Sequence, residues 1–349
     1  MDYRPLGQTG VQVSALCLGA MNFGSWGNPD PADCVTIIHR ALDAGINFID
    51  TADVYSNGES ELIVGQALAG RRDDVILATK FHHAMGEGVN RRGNSRRWIM
   101  LAVEDSLRRL GTDWIDLYQV HRDDPSTDLD TTLGALSDLV TAGKIRYIGI
   151  STFPAHRIVR AQWVAEARRF ARVAAEQPPY SLLTRAIEAD VLPVCREHGM
   201  GVIPWGPLNG GWLTGRFRKH REAPDVYRAR RAPERYDLSR PGNALKLDAA
   251  DALGALADEA GLSLIHVALA FVANHPAVTA PTIGPRTAEQ LDSQLGANEV
   301  RLTDDMLDRI DAIVPPGTNV VARESAFVNR ELARARRRRP TGAHEATAQ

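Results

Sequence analysis

Asp50, Tyr55, Lys80 and His121 supply a carboxylate, a phenol, an ammonium and an imidazole, each at or just past the end of a short apolar run. Together these groups suit one kind of chemistry: adding a hydride to carbon and a proton to oxygen across a carbonyl. A phenol is a poor acid near neutral pH, because its reference pKa is about 10. A nearby ammonium favours the phenolate and so makes the phenol a readier donor. On this reading Lys80 acts on Tyr55, Asp50 holds Lys80 in place, and His121 hydrogen-bonds the carbonyl oxygen and aims it. General acid help of this kind is typically worth roughly 10²–10⁴ in rate. Donors aimed at a developing alkoxide add electrostatic stabilisation.

Residues so far apart in sequence meet only if repeated elements carry them to one place. Eight short apolar, β-branched runs occur, at 13–18, 47–50, 75–79, 115–120, 146–150, 172–175, 201–204 and 278–283. Continuous rather than alternating apolar character predicts buried parallel strands covered on both faces. Amphipathic stretches lie between them, at 35–44, 98–110, 129–142 and 251–260, and stop at Gly45, Gly111, Gly143 and Gly261, each a usable C-cap. Helix, glycine, strand is the punctuation of β/α units. Eight units in 349 residues fit an α/β architecture of the (β/α)8 TIM-barrel type better than an open sheet.

Residues 3–14, with Gly7 and Gly10, read as a β-hairpin ahead of the barrel. Long polar inserts, 82–97 and 218–248, follow the third and seventh strands, and loops of that length are usually functional or mobile. In such a barrel the chemistry sits at the C-terminal ends of the strands. Asp50, Lys80, His121, Ser151 and Gln177 end the second to sixth strands in turn. The chain therefore divides into one barrel, 1–329, and an Arg-rich tail, 330–349, expected to be solvated and disordered.

The local sequences around these residues resemble one family. Phe48-Ile49-Asp50-Thr51-Ala52-Asp53-Val54-Tyr55 and the following Gly58-Glu59-Ser60-Glu61-Leu62-Ile63-Val64-Gly65 resemble the aldo-keto reductase motif with Asp and Tyr five apart. Ala78-Thr79-Lys80 is similar to its lysine strand and Asp116-Leu117-Tyr118-Gln119-Val120-His121 to its histidine strand, with Ile148-Gly149-Ile150-Ser151 next. The likeness runs from about Tyr3 to Val314, and the pattern is that of the longer, potassium-channel β-subunit-like and bacterial members. It implies a TIM barrel that reduces an aldehyde or ketone reversibly, with NADP(H), or NAD(H), as cofactor.

The phosphate-binding loops of open α/β folds are missing: no GxGxxG follows the first strand and no GxxxxGK[ST] occurs. A barrel binds phosphate instead with loops after strands seven and eight. The seventh strand leads into Trp205, Gly206, Pro207, Leu208 and Gly211, whose glycines let backbone N–H groups approach a pyrophosphate, with Arg216 to pair with it. The resemblance implies that Trp205 lies against the nicotinamide ring and that Ser151 and Gln177 hold its carboxamide. It also implies that Gly284, Arg286, Gln290 and Gln294 clamp the adenosine end, with Arg286 placed for a 2′-phosphate. Gly19, Met21, Asp50 and Thr152 complete the expected cofactor set. Two positions depart from the family's frequent pattern: Thr152 stands where Asn is common, and Ser293-Gln294 where Glu-Asn is common.

Phe23, Trp26, Phe81, Phe153 and Trp212 fall in loops near the expected mouth, which suits a moderately apolar carbonyl substrate. His82-His83 has no third ligand nearby, so no metal is expected. A Schiff base on Lys80 conflicts with its pairing to Asp50, since that chemistry needs the free amine. A cofactor-binding regulatory subunit, as in the channel β subunits, is the alternative; those differ at the position of His121. A formal net charge of −2 gives no reason to expect nucleic acid. Three scattered cysteines, no apolar signal core and no run long enough to span a bilayer predict a cytoplasmic protein with no membrane partner. No motif specifies an oligomeric state.

Overall fold

The chain opens with an antiparallel hairpin, β1 (Tyr3–Pro5) and β2 (Gln12–Ser14), in the register Tyr3 to Ser14. Gly7 and Gly10 turn it with φ of 55° and 81°. At Gly7 a side chain would lie 2.6 Å from the backbone of Gly199 and Gly201, so glycine lets the turn press on the barrel floor. The computed structural model describes residues 1–222, 224 and 227–325; the expected Arg-rich tail lies outside them.

Strands and helices then alternate: β3 (Cys17–Gly19), α1 (Pro31–Asp43), β4 (Phe48–Asp50), α2 (Glu59–Leu68), β5 (Ile76–Phe81), α3 (Arg96–Leu110) and β6 (Ile115–Val120). Next come α4 (Leu129–Thr141), β7 (Ile145–Ser151), α5 (Ala155–Arg168), β8 (Val173–Gln177), α6 (Val191–Glu197) and β9 (Gly201–Val202). The chain continues as α7 (Pro241–Glu259), α8 (Leu264–Ala273), β10 (Thr282–Ile283), α9 (Ala288–Leu295) and α10 (Asp304–Ile313). Each strand from β3 to β8 pairs in parallel with the next, and β10 pairs with β3. The ring closes where Trp205 bridges Thr282 in parallel, with the Thr282 N–H donating to the Pro204 carbonyl at 2.7 Å. This is the expected (β/α)8 barrel with its N-terminal hairpin.

The core has two shells. Inside the ring, Cys17, Phe48, Ala78, Leu117, Ala175, Ile203 and Ala280 meet, and Leu6 and Val13 of the hairpin plug them from below. Outside it, a larger cluster packs strands against helices. The run 13–18 therefore divides: Val13 belongs to the hairpin, and the barrel strand starts only at Cys17. Helices α1 and α7 begin four and ten residues earlier than their apolar spacing predicts. Asp30 caps α1, and Pro31 and Pro241 occupy first-turn positions, where a missing N–H has no consequence. Gly45, Gly111, Gly143 and Gly261 all take positive φ after their helices, as expected.

Gly65 lies where α2 crosses the end of α3, and a Cβ there would sit 2.6 Å from the Leu110 carbonyl oxygen and 2.8 Å from that of Arg109. Backbone atoms cannot move aside as a side-chain tip can. Gly65→Ala should therefore lower stability by about 1–3 kcal/mol by overpacking, despite the roughly 1 kcal/mol that alanine gains in helix propensity. Urea denaturation reads this; an unchanged midpoint would mean that the two helices separate freely.

Candidate active site

Strand register brings the expected groups level. Asp50 closes β4 opposite Ala78, Lys80 of β5 stands opposite Gln119, and Ser151 of β7 opposite Gln177. Lys80 is fully buried and uses all three of its N–H donors: Nζ donates to Asp50 Oδ2 at 2.6 Å, the Thr51 carbonyl at 2.8 Å and Tyr55 Oη at 3.3 Å. Asp50 Oδ1 accepts from Gln119 Nε2 at 2.8 Å and Gln177 Nε2 at 3.0 Å. The pair is thus satisfied on both sides, the condition for burying charge at all.

Burial pulls the Lys80 ammonium down, but Asp50 and Tyr55 outweigh it and hold its pKa above the usual lysine value. For Tyr55 the balance runs the other way. Burial pushes the phenol up, and the attractions of Lys80 and Arg122 do not offset this. The expected lowering by Lys80 is present, but loss of water around the hydroxyl is the larger effect. The phenol is therefore protonated at neutral pH, the form a proton donor requires. Burial, with Lys80 next, pushes His121 well below the usual histidine range. Its ring is neutral, stands edge-on to Tyr55 at 5.8 Å, and leaves Nδ1 without a partner among the described residues.

A strained turn holds Tyr55. Ser56, Asn57 and Gly58 take φ of 48°, 56° and 98° in succession, a conformation that needs outside support. Ser56 Oγ supplies it, donating to the Phe23 carbonyl and accepting from the Trp26 N–H, both at 3.0 Å. Glu59 accepts from the Ser25 N–H at 2.7 Å. The loop after β3 is thereby fastened to the tyrosine, and the Trp26 ring lies 6.2 Å from that of Tyr55.

Above these groups lies a cavity of about 610 Å³. Asp50, Tyr55 and His121 line it, as do Gly19, Met21, Ser151, Gln177, Trp205, Gly206, Pro207, Leu208, Gly211, Arg216, Gly284, Arg286, Gln290 and Gln294. Lys80 lies behind Asp50 and Tyr55. Thr152 stands behind the wall, where its Oγ1 accepts from Trp205 Nε1 at 3.3 Å and Arg122 Nη1 at 3.0 Å. It reaches the cavity through the groups it holds.

The five aromatic residues expected around the substrate do not line this cavity. Phe81 packs on Tyr118 at 5.0 Å, because successive strand residues face opposite sides and Lys80 takes the inner one. Phe23 and Phe153 are buried in the outer core, and Trp212 stacks on Phe217 at 4.1 Å. Trp26 reaches the site only through Tyr55. Arg122, a polar neighbour of His121 in the sequence, lines the cavity, and residues that sequence patterns did not single out join it, chiefly Asn22, Tyr227, Arg228 and Arg235. Asn22 fixes the wall by donating to the Gly284 carbonyl at 2.7 Å. Arg122 follows His121 directly, the one adjacency that signals it; Tyr227 and Arg228 sit in an insert without periodicity.

Residues 15–315 match the aldo/keto reductase family model. The chain is 41% identical to an uncharacterized oxidoreductase of Bacillus subtilis over 91% of its own length and 97% of that protein's. It is 34% identical to a probable voltage-gated potassium channel subunit beta of Oryza sativa, over 90% and 97% of the two lengths. Norsolorinic acid reductase B of Dothistroma septosporum is 33% identical, over 90% and 82%.

One more carboxyl lies behind the site. Asp53 is buried, and neither carboxyl oxygen has a hydrogen-bond partner among the described residues. Burial, then Glu61, pushes its pKa well above the usual 3.8. The unfolded chain loses this proton near pH 4 and the folded chain only at higher pH, so the group makes stability fall as pH rises between the two. Asp53→Asn removes the penalty. The variant should gain stability over the wild type at pH 7, with the gain fading towards pH 4; equal differences at both pH values in chemical denaturation would show that Asp53 is ionised when folded.

Proposed function

The chain belongs to the aldo/keto reductase family, and from that premise we propose an NADP(H)-dependent enzyme that reduces an aldehyde or ketone to the alcohol, reversibly, with Tyr55 as general acid. The observation that carries this reading is the Tyr55 hydroxyl at the cavity wall, 3.3 Å from Lys80 Nζ and flanked by His121; burial favours the neutral form of both the phenol and the imidazole. A bound nicotinamide cofactor supplies the hydride. The chain's own residues do the rest. Tyr55 gives its proton to the carbonyl oxygen as that oxygen becomes an alkoxide. Lys80, kept charged by Asp50, stabilises the phenolate left behind. His121, neutral and so able to donate one N–H, orients the oxygen.

The cavity fits such a cofactor. Gln177 commits its amide nitrogen to Asp50 and leaves Oε1 for a carboxamide, beside Ser151. Trp205 offers an indole fixed by Thr152. Gly206, Gly210 and Gly211 take positive φ, so this turn presents backbone to a pyrophosphate, with Arg216 next to it. The Arg286 guanidinium lies over the Tyr227 ring at 4.6 Å and forms no ion pair among the described residues, which leaves its charge for a 2′-phosphate. The likeness to channel β subunits favours a second reading, a cofactor-binding subunit that reports redox state to a partner protein. Turnover with simple aldehydes separates the two.

Tyr55→Phe should lower kcat by roughly 10²–10⁴, the usual worth of a general acid, while NADPH affinity stays close to that of the wild type. Retained activity would remove Tyr55 as the acid. NADPH should quench tryptophan fluorescence saturably and bind more tightly than NADH. Arg286→Ala should weaken NADPH by about tenfold or more, as loss of a charge-assisted hydrogen bond implies, and affect NADH much less. Equal losses for both would overturn the 2′-phosphate assignment.

A further inference from the structure

Five arginines and two carboxylates line the cavity. Both carboxylates are already paired, Asp50 with Lys80 at 2.6 Å and Glu324 with Lys246 at 2.8 Å. Arg216 and Arg286 lie at the end assigned above to cofactor phosphates, and Arg235 approaches Glu324 at 3.9 Å. Arg122 and Arg228 remain, and among the described residues neither forms an ion pair. Arg122 donates one nitrogen, Nη1, to the His121 carbonyl at 2.8 Å and Thr152 Oγ1 at 3.0 Å; Nε and Nη2 have no acceptor there. Arg228 makes a single long contact, to Asn22 Oδ1 at 3.4 Å.

Both arginines line the same cavity as Tyr55, and each lies within electrostatic reach of its hydroxyl. The segment that carries Arg228 is anchored on either side of the cavity. Tyr227 lies under Arg286, whose Cζ is 4.6 Å from its ring, and the Arg231 Cζ lies 4.3 Å from the Trp26 ring that faces Tyr55. Nothing acidic answers them. Glu176 is buried near Arg122, but it forms no ion pair with it among the described residues: its Oε1 accepts from the Phe153 N–H at 3.1 Å, and burial pushes its carboxyl well above the usual range. Asp123 is spent on Arg157 at 2.8 Å, and Asp124 on Ser126 and Thr127. Burial makes both arginines less comfortable as cations than in water, and such groups call for an anion.

We propose that Arg122 and Arg228 form an anion subsite beside Tyr55, and that the preferred substrates are aldehydes or ketones bearing a carboxylate or phosphate. The inference rests on the carbonyl-reductase reading and replaces the moderately apolar substrate that the aromatic residues suggested.

A matched series tests it: para-carboxybenzaldehyde, para-formylphenyl phosphate and para-methylbenzaldehyde, with NADPH, on the wild type, Arg122→Gln, Arg228→Gln and Arg228→Lys. The wild type should show kcat/KM at least about tenfold higher for one or both anionic members, the worth of one charge-assisted hydrogen bond. The carboxylate-to-phosphate ratio says which anion fits. Each Gln variant should cut the anionic-to-neutral ratio by about tenfold, and Arg228→Lys should keep part of it. Equal kcat/KM across the series overturns the subsite and leaves the reductase reading standing. So does an Arg228→Gln defect that is equal for all substrates and accompanied by weaker NADPH binding, which would assign Arg228 to the cofactor. If no aldehyde turns over, the reductase reading fails. Calorimetry of benzoate against benzamide on NADPH-loaded protein then still judges the subsite: it stands only if benzoate binds more tightly and Arg228→Gln removes the difference.

Discussion

The buried ion pair between Lys80 and Asp50 is the constraint on which the barrel's upper half depends. Neither side chain has appreciable contact with solvent, and an unpaired charge there would cost several kcal/mol. Every polar group that answers the pair is therefore fixed in place. Gln119 and Gln177 are drawn in from β6 and β8, Thr51 offers its carbonyl, and Tyr55 accepts the last ammonium proton. Below this layer the ring is filled by apolar side chains, one from nearly every strand. Above it Asp50 and Tyr55 form part of the cavity wall.

The same pair sets the protonation states around it. Lys80 stays an ammonium because Asp50 compensates for its burial. That charge, together with burial, keeps His121 neutral. Tyr55 shows the limit of pairwise reasoning. From sequence alone the lysine makes the phenol more acidic, and its attraction does act that way; but dehydration of the hydroxyl is larger and opposite. How deep a group lies is a property of the whole fold, and residue types cannot report it.

The sequence was most legible where local physics decides. The glycines that end helices, the N-terminal hairpin and the strands carrying Lys80 and His121 all follow from spacing and φ preference. It misled where two neighbours compete for one environment. Phe81 and Phe153 stand next to site residues in sequence, but strand pleating turns Phe81 away from Lys80, and Phe153 is drawn into the outer core. It was silent on Arg228 and Tyr227. Their insert has no period, and only the contacts with Asn22, Arg286 and Trp26 bring it over the cavity.

Thr152 shows how a single departure from a family pattern acquires physical content. It holds φ of 58°, a region disfavoured for a β-branched residue, where asparagine would sit more comfortably. The strain is balanced by what the hydroxyl does there: one oxygen accepts from Arg122 on one side and Trp205 on the other. A longer amide at this position would change the distance between those two groups. The Arg122 guanidinium and the Trp205 indole, both at the cavity wall, are therefore set by the same atom. A change at Thr152 moves both together, so the ring and the charge that these two residues hold at the cavity wall are coupled through one hydroxyl behind it.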